Sequence, residues 1–178
     1  MLFPDICDRL MGFHAIMIFA ATMGLRMLML LFYVKSELYA IESSSIVAII
    51  PKVSLRKVHH LPEYVAGIFN YRGTILPVID LCHLIQGSPS HSHLSTRIMI
   101  VNYTSPDGTL KQLGLMAERV TETLNRSEDE IVDLGVRVDA APYLSGTIID
   151  SNRIIQCIKL ECLFSDPRHT NLLTGSEN

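Results

Sequence analysis

Residues 61–84 confine a tight reversal and a capped helix to one short stretch, and few folds accommodate such a unit. Residues 66–71 form an apolar and aromatic run, and residues 74–79 a run rich in β-branched side chains, so a strand is expected on each side of the reversal. Gly73 permits the turn between them and leaves Arg72 at its tip. Asp80 is placed to cap a helix whose Leu81, Leu84 and Ile85 fall at i, i+3 and i+4, and Gly87 is placed to end it. Nothing in the unit has a catalytic pattern, so Arg72 is the residue that needs an explanation.

The rest of the chain repeats short apolar segments at the spacing of an all-β barrel or sandwich, with about ten candidate strands. Residues 28–34 and 37–42 flank a Lys35-Ser36 turn, and 46–51 follow, with Pro51 marking an edge or a strand end. Pro62 is expected to open a brief helical piece. Ile98 and Ile100 alternate with Met99 and Val101, which makes both faces of that strand apolar, as for a strand buried between two layers. Asp107-Gly108 predicts a hairpin turn into a strand over 111–120. Ser127 and Glu130 match a capping box that opens one or two helical turns. Residues 150–152 turn between strands at 144–149 and 153–158. The polar, low-complexity loop at 88–95 is expected to divide two subdomains.

Length predicts one domain with a core that needs no staples. Fifteen Lys plus Arg against eighteen Asp plus Glu give a net charge of -3, with no cationic block to grip phosphates, so nucleic acid is not an expected partner. Cys7, Cys82, Cys157 and Cys162 are too scattered for a zinc site and are expected as reduced thiols. Residues 10–25 are almost wholly apolar yet short of the roughly 20 residues a membrane span needs. Asp5 and Asp8 also outweigh Arg9 where a signal peptide would be basic. The expected organisation is therefore an apolar extension at 1–26, a domain at 27–165 and a polar tail at 166–178, with Met27 or Met29 a possible true start.

Enzymatic and metal constellations fare poorly. His59, His60, His83, His91 and His93 lack carboxylates or thiolates spaced to complete a shell, so no metal is expected. No G-x-S-x-G elbow or phosphate-binding glycine loop occurs. Cys82 and His83 are helix neighbours, diverging by about 100 degrees, and cannot easily pair as nucleophile and base. Ser43, Ser44 and Ser45 are expected in a strand-end turn.

The run G-I-F-N-Y-R-G-T-I-L-P-V-I-D-L at 67–81 resembles the G-x-x-N-x-R-G-x-x-x-P-x-x-D-L signature of CheW-like domains, the coupling proteins of bacterial chemosensory arrays. G-L-M-A-E-R-V at 114–120 is similar to that family's central strand, Y-L-S-G-T-I-I at 143–149 to a later one, and 153–164 to its closing strand and helix. The resemblance implies a mainly β fold of two SH3-like five-stranded barrels packed side by side with short helices. It also implies a cytoplasmic, non-enzymatic adaptor without cofactors that couples a methyl-accepting chemoreceptor to a CheA-type histidine kinase, meeting the membrane only through the receptor. Carried over residue by residue, the implied partner surface comprises Asn70, Arg72 and Gly73, with Gly67, Gly114, Val120 and Thr123 around a groove between the subdomains. Thr123 replaces the usual valine, and Glu118-Arg119 stands where Asp-Gly is common. The competing readings are a stand-alone ligand-binding β barrel, marked by a closed apolar cavity, and a small hydrolase, marked by an acid-base pair in a cleft.

Overall fold

Apolar alternation is converted into strands at nearly every predicted segment of the computed structural model, which describes residues 26–105, 108–132 and 143–163. The strands are β1 (Arg26–Val34), β2 (Glu37–Glu42), β3 (Ile46–Pro51), β4 (Val65–Tyr71), β5 (Thr74–Asp80), β6 (Arg97–Thr104), β7 (Leu110–Ala117), β8 (Arg119–Ser127), β9 (Leu144–Asp150) and β10 (Arg153–Ile158). Two short helices follow strands, α1 (Leu81–Gln86) after β5 and α2 (Leu160–Leu163) after β10. The expected extension, Arg26 apart, and the expected tail lie outside the described residues, as does Asp107 of the predicted hairpin turn.

The strands form two five-stranded sheets, ordered β8-β1-β2-β10-β9 and β3-β6-β7-β5-β4. Each sheet curls until its ends meet. Beyond β3, Arg56 bridges Ile68 of β4; beyond β8, Val132 bridges Thr147 of β9. Two barrels result, with no open end to the ladder at those points. One cluster fills the first barrel with Met29, Leu31, Ala40, Ile148, Ile155 and Cys157. Leu76, Val78, Ile98, Ile100 and Met116 fill the second. The largest cluster lies between the barrels, where Phe32, Tyr39 and Ile41 meet Met99, Val101, Leu115 and α1's Leu81 and Cys82. β6 explains its doubly apolar pattern: Ile98 and Ile100 face the second barrel's interior, Met99 and Val101 the layer between barrels. Burial pushes the Cys157 thiol up to about 11, which fits its place as a small hydrophobe in the first core.

The barrels repeat one topology. In the second, the chain runs β3, β4, β5, α1, β6, β7; in the first, β8, β9, β10 and α2 are completed by β1 and β2 from the other end of the chain. Tyr64, Gly67, Arg72, Asp80 and Leu81 correspond at constant spacing to Tyr143, Gly146, Ser151, Lys159 and Leu160. The backbone bonds agree, since Asp80 N–H donates to the Tyr64 carbonyl at 2.7 Å and Lys159 N–H to the Tyr143 carbonyl at 2.8 Å.

Three expectations change. The 88–95 loop does not separate the barrels; it joins α1 to β6 within the second. The chain instead crosses between barrels at a 3-10 turn, Ser43–Ser45, and again at Glu118. The strand expected over 111–120 is therefore two strands, β7 and β8, in different barrels. Pro62 opens a turn closed by Val65 N–H on the Pro62 carbonyl, at 2.9 Å, because Val65 already enters a ladder. The expected capping box is present, with Ser127 N–H donating to Glu130 Oε2 at 2.7 Å, and it opens one turn of 3-10 helix, Glu128–Glu130.

Candidate functional site

The β4–β5 reversal places both Arg72 and Gly73 at positive φ, 52° and 91°, which is the requirement of a two-residue type I′ turn. Gly73 meets it without cost, whereas an arginine there costs about 1 kcal/mol relative to glycine. Asn70 supports the turn: its Oδ1 accepts the Gly73 N–H at 2.7 Å. That leaves the Asn70 amide NH2 as the portion able to meet a partner. The Arg72 guanidinium carbon lies 5.3 Å from the centroid of the Tyr71 ring, which holds the side chain without consuming its donors. Arg72, Gly73 and Asn70 are all exposed, and β5's Ile75 beside them is 58% exposed. At the corresponding turn of the first barrel Ser151 is also at positive φ, 58°, so turn geometry demands the conformation but not the guanidinium.

The other expected residues are spread over both barrels. Val120 and Thr123 lie on β8, opposite Phe32 and Leu30 of β1. A bulge between Leu30 and Phe32 lets both β8 residues fall on the side facing the second barrel. Val120 is half-buried against the layer between the barrels and Thr123 is exposed, so together they form an edge of that seam. Gly67 and Gly114 are buried and present no surface. A Cβ on Gly67 would stand 2.6 Å from the Arg56 carbonyl oxygen, and one on Gly114 would stand 2.7 Å from Ile98 Cγ2 inside the second barrel. Crowding accounts for glycine at both positions, which lie in the barrel wall. Asn70, Arg72 and Gly73 are thus brought together; Val120 and Thr123 form a second locus on the other barrel.

The departures at Glu118-Arg119 have partners of their own. The Arg119 guanidinium stacks 4.0 Å from the Tyr33 ring centroid. Glu118 accepts the His91 N–H at 2.8 Å, lies 3.0 Å from His91 Nδ1 and 3.6 Å from Lys35 Nζ, and its carbonyl accepts from Ser95 Oγ. The crossover is thereby tied to the 88–95 loop and to the β1–β2 turn, a role the sequence did not reveal. Partial burial acts to raise the Glu118 pKa, but the His91 hydrogen bonds and the Lys35 charge outweigh it and hold the carboxyl below its ordinary range. A depressed carboxyl stabilises the fold fully above its unfolded pKa and loses that contribution as pH falls through the folded one. Glu118→Gln is expected to lower stability at pH 7 by about 1 kcal/mol and to flatten its decline between about pH 5 and pH 3. Thermal melts across that range check it; a variant with the wild-type acid profile rejects the clip.

Among the described residues, the remaining candidates form no catalytic pair. Cys82 is buried in the layer between barrels, where desolvation raises its thiol pKa, and the His83 ring lies 3.4 Å from Glu63 instead. The Asp80 carboxylate is consumed as a cap, accepting from Cys82 N–H at 3.0 Å, His83 N–H at 3.3 Å and Ser90 N–H at 2.8 Å. The His91 and His93 rings are 5.9 Å apart, but among the described residues no three metal-ligating side chains converge. Among those residues, too, no helix is long and apolar enough to cross a membrane. Side chains occupy both barrel interiors, where a ligand-binding barrel would hold its ligand.

Comparison with known proteins points one way. The family model for the CheW-like domain matches residues 28–168. A chemotaxis protein CheW of Bacillus subtilis is 26% identical over 132 residues, covering 73% of this chain and 81% of that protein. A probable chemotaxis protein CheW of Rhizobium etli is 28% identical over 110 residues, 60% of this chain and 67% of the relative. The crystal structure of the scaffolding protein TtCheW from Thermoanaerobacter tengcongensis is similar with a TM-score of 0.69 and 27% identity, covering 83% of this chain and 93% of that one.

Proposed function

The chain belongs to the CheW-like family, and from that premise we propose that it is a chemotaxis coupling adaptor joining a methyl-accepting chemoreceptor to a CheA-type histidine kinase. Its work in this reading is association in the cytoplasm, with no covalent step. The observation that carries it is the exposed Arg72 guanidinium, braced by Asn70 and Tyr71 on a turn that does not itself require arginine. Such a planar group bonds a carboxylate or helix-end carbonyls in a bidentate way, and Arg72 with Asn70 and Gly73 forms the receptor contact. Val120 and Thr123 offer a second contact along the seam, while Gly67 and Gly114 keep the barrel wall that supports the turn. Transmission follows only if the two barrels hold two receptor or kinase states with different affinity, because equal binding shifts neither.

Arg72→Ala is expected to fold normally and to weaken chemoreceptor binding about tenfold or more, with stimulus control of the kinase lost in parallel. Arg72→Lys should recover only part, since an ammonium keeps the charge without the fork. Co-purification and titration against the receptor signalling domain measure both. Unchanged affinity in an Arg72→Ala protein that melts like the parent would falsify the assignment.

A further inference from the structure

The duplicated unit carries a duplicated cleft. In the second barrel a cleft of about 600 Å³ lies where the chain beyond β3 passes the start of β4 and of α1, with Leu55, Ala66 and Asp80 in its wall. In the first barrel a cleft of about 530 Å³ has Ile131, Ser145 and Lys159 in its wall. These residues match in pairs. Ser145 and Lys159 hold the places of Ala66 and Asp80 at the spacing that relates Tyr143 to Tyr64, and Ile131 stands over Gly146 as Leu55 stands over Gly67. A concavity at this end of each barrel is therefore a product of the shared topology.

What differs is charge. Glu42, Glu128 and Glu161 line the cleft of the first barrel, where Lys159 is the one cation among the described residues. Lys52, Lys57, His59 and His83 line the cleft of the second, with Glu63 and Asp80. Both of those carboxylates are engaged: Asp80 accepts the N–H groups of Cys82, His83 and Ser90, and Glu63 lies 3.4 Å from the His83 ring. The ammonium groups of Lys52 and Lys57 have no hydrogen-bond or ion-pair partner among the described residues. On a chain of net charge -3 they make a local positive field that the overall balance does not foretell. Each lysine is followed by an exposed valine, Val53 at 38% and Val58 at 40%, so cationic and aliphatic surface alternate along the rim.

We propose that the cleft beside α1 in the second barrel is a docking site for an acidic, aliphatic segment of a partner polypeptide, with carboxylates on Lys52 and Lys57 and apolar side chains over Val53, Leu55 and Val58. Charge complementarity selects the acidic partner, and the first barrel's cleft, of opposite sign, rejects the same segment. A lone small anion fits the lining poorly. Among the described residues no arginine lines the cleft to grip one anion bidentately, and the aliphatic rim is left uncovered unless the ligand brings apolar side chains of its own. The site lies at the start of β4, at Val65 and Ala66, whereas Arg72 follows the far end of that strand. It is thus a separate contact and does not rest on the Arg72 assignment.

The probe is a blocked hexapeptide alternating leucine and glutamate, titrated at up to millimolar concentration into the full chain and followed by amide resonances. Shifts are expected at residues 52–59 and at Ala66. The double variant Lys52→Glu, Lys57→Glu changes two positions outside the cores, so it is expected to melt like the parent while binding the peptide about tenfold or more weakly. Lys159→Glu, in the cleft of the first barrel, should leave binding unchanged. The same peptide with lysine in place of glutamate should not shift residues 52–59. N-acetylglutamate at matched carboxylate concentration separates a small anion from a segment, and is expected to leave those resonances nearly unmoved. Undiminished binding by the double variant, shifts at 52–59 from the lysine peptide, or equal shifts from N-acetylglutamate overturns the proposal. Each of these results leaves the Arg72 assignment to its own measurement.

Discussion

Ile100→Asp is expected to abolish cooperative folding. Ile100 is fully buried in the middle of β6, which is flanked by β3 and β7, and its neighbours Leu76, Val78, Ile98 and Met116 are all apolar. None of the buried side chains of that cluster, Leu76, Val78, Ile98 and Met116, can donate to a carboxylate. An aspartate there must either stay charged without a partner or take up a proton and still lose the isoleucine's contacts, at a cost of several kcal/mol. Total stabilities run at roughly 5–15 kcal/mol, so one such substitution consumes most or all of it. Ile100→Val removes a single methylene and should cost only about 1 kcal/mol. Circular dichroism melts of the pair separate the outcomes; a soluble aspartate variant with a sharp transition would place Ile100 outside the core.

The contrast between β6 and β8 indicates what periodicity can reveal. β6 has two apolar faces because it stands between two cores, and its pattern said so directly. α1 was equally legible, since Asp80 accepts two helix amides and Gly87 closes the helix at φ 68°. The change of barrel at Glu118 left no such trace. Ala117, Glu118 and Arg119 contain neither glycine nor proline, and the partners that hold the bend, His91 and Lys35, are remote in sequence. The polar 88–95 loop misled for the opposite reason: low complexity suggested a divider, yet Asp80 holds Ser90, and Glu118 holds His91 and Ser95. Completion of the first barrel by β1 and β2 is also a long-range pairing that no local window contains. One overlooked signal was available, the Tyr-x-x-Gly recurring at 64–67 and 143–146, which marks the duplicated unit.

For the candidate site, the turn residues were legible because each has a local task. Gly73 supplies φ > 0, Asn70 caps the turn, and the arginine between them is the part with no structural task. Gly67 and Gly114 could not be sorted between surface and wall without coordinates, since glycine serves either.

Gly67→Ala carries the second large expected effect, and the duplicated unit lets it be checked internally. Gly67 has φ 146° and Gly146 φ 155°, a region that side chains rarely adopt. Each sits where its barrel closes on itself: Ile68 bonds Arg56 in both directions at 2.9 Å, and Thr147 bonds Val132 likewise at 2.9 Å. A methyl on Gly67 would meet backbone, the Arg56 carbonyl oxygen at 2.6 Å, whereas one on Gly146 would first meet the Ile131 Cγ2 at 2.5 Å, a side chain with some freedom to turn. Both variants incur backbone strain of order 1–3 kcal/mol, and Gly67→Ala must in addition displace the closing bridge. The expected order is therefore Gly67→Ala the more destabilised, by about 3 kcal/mol or more, then Gly146→Ala. Denaturant titration of both gives the comparison, with Gly73→Ala as reference because a Cβ there has nothing within 4 Å and only the turn's φ of 91° to contend with. Should Gly67→Ala lose receptor binding while keeping parental stability, the residue would be a contact surface, and the crowding against Arg56 would no longer explain why glycine stands there.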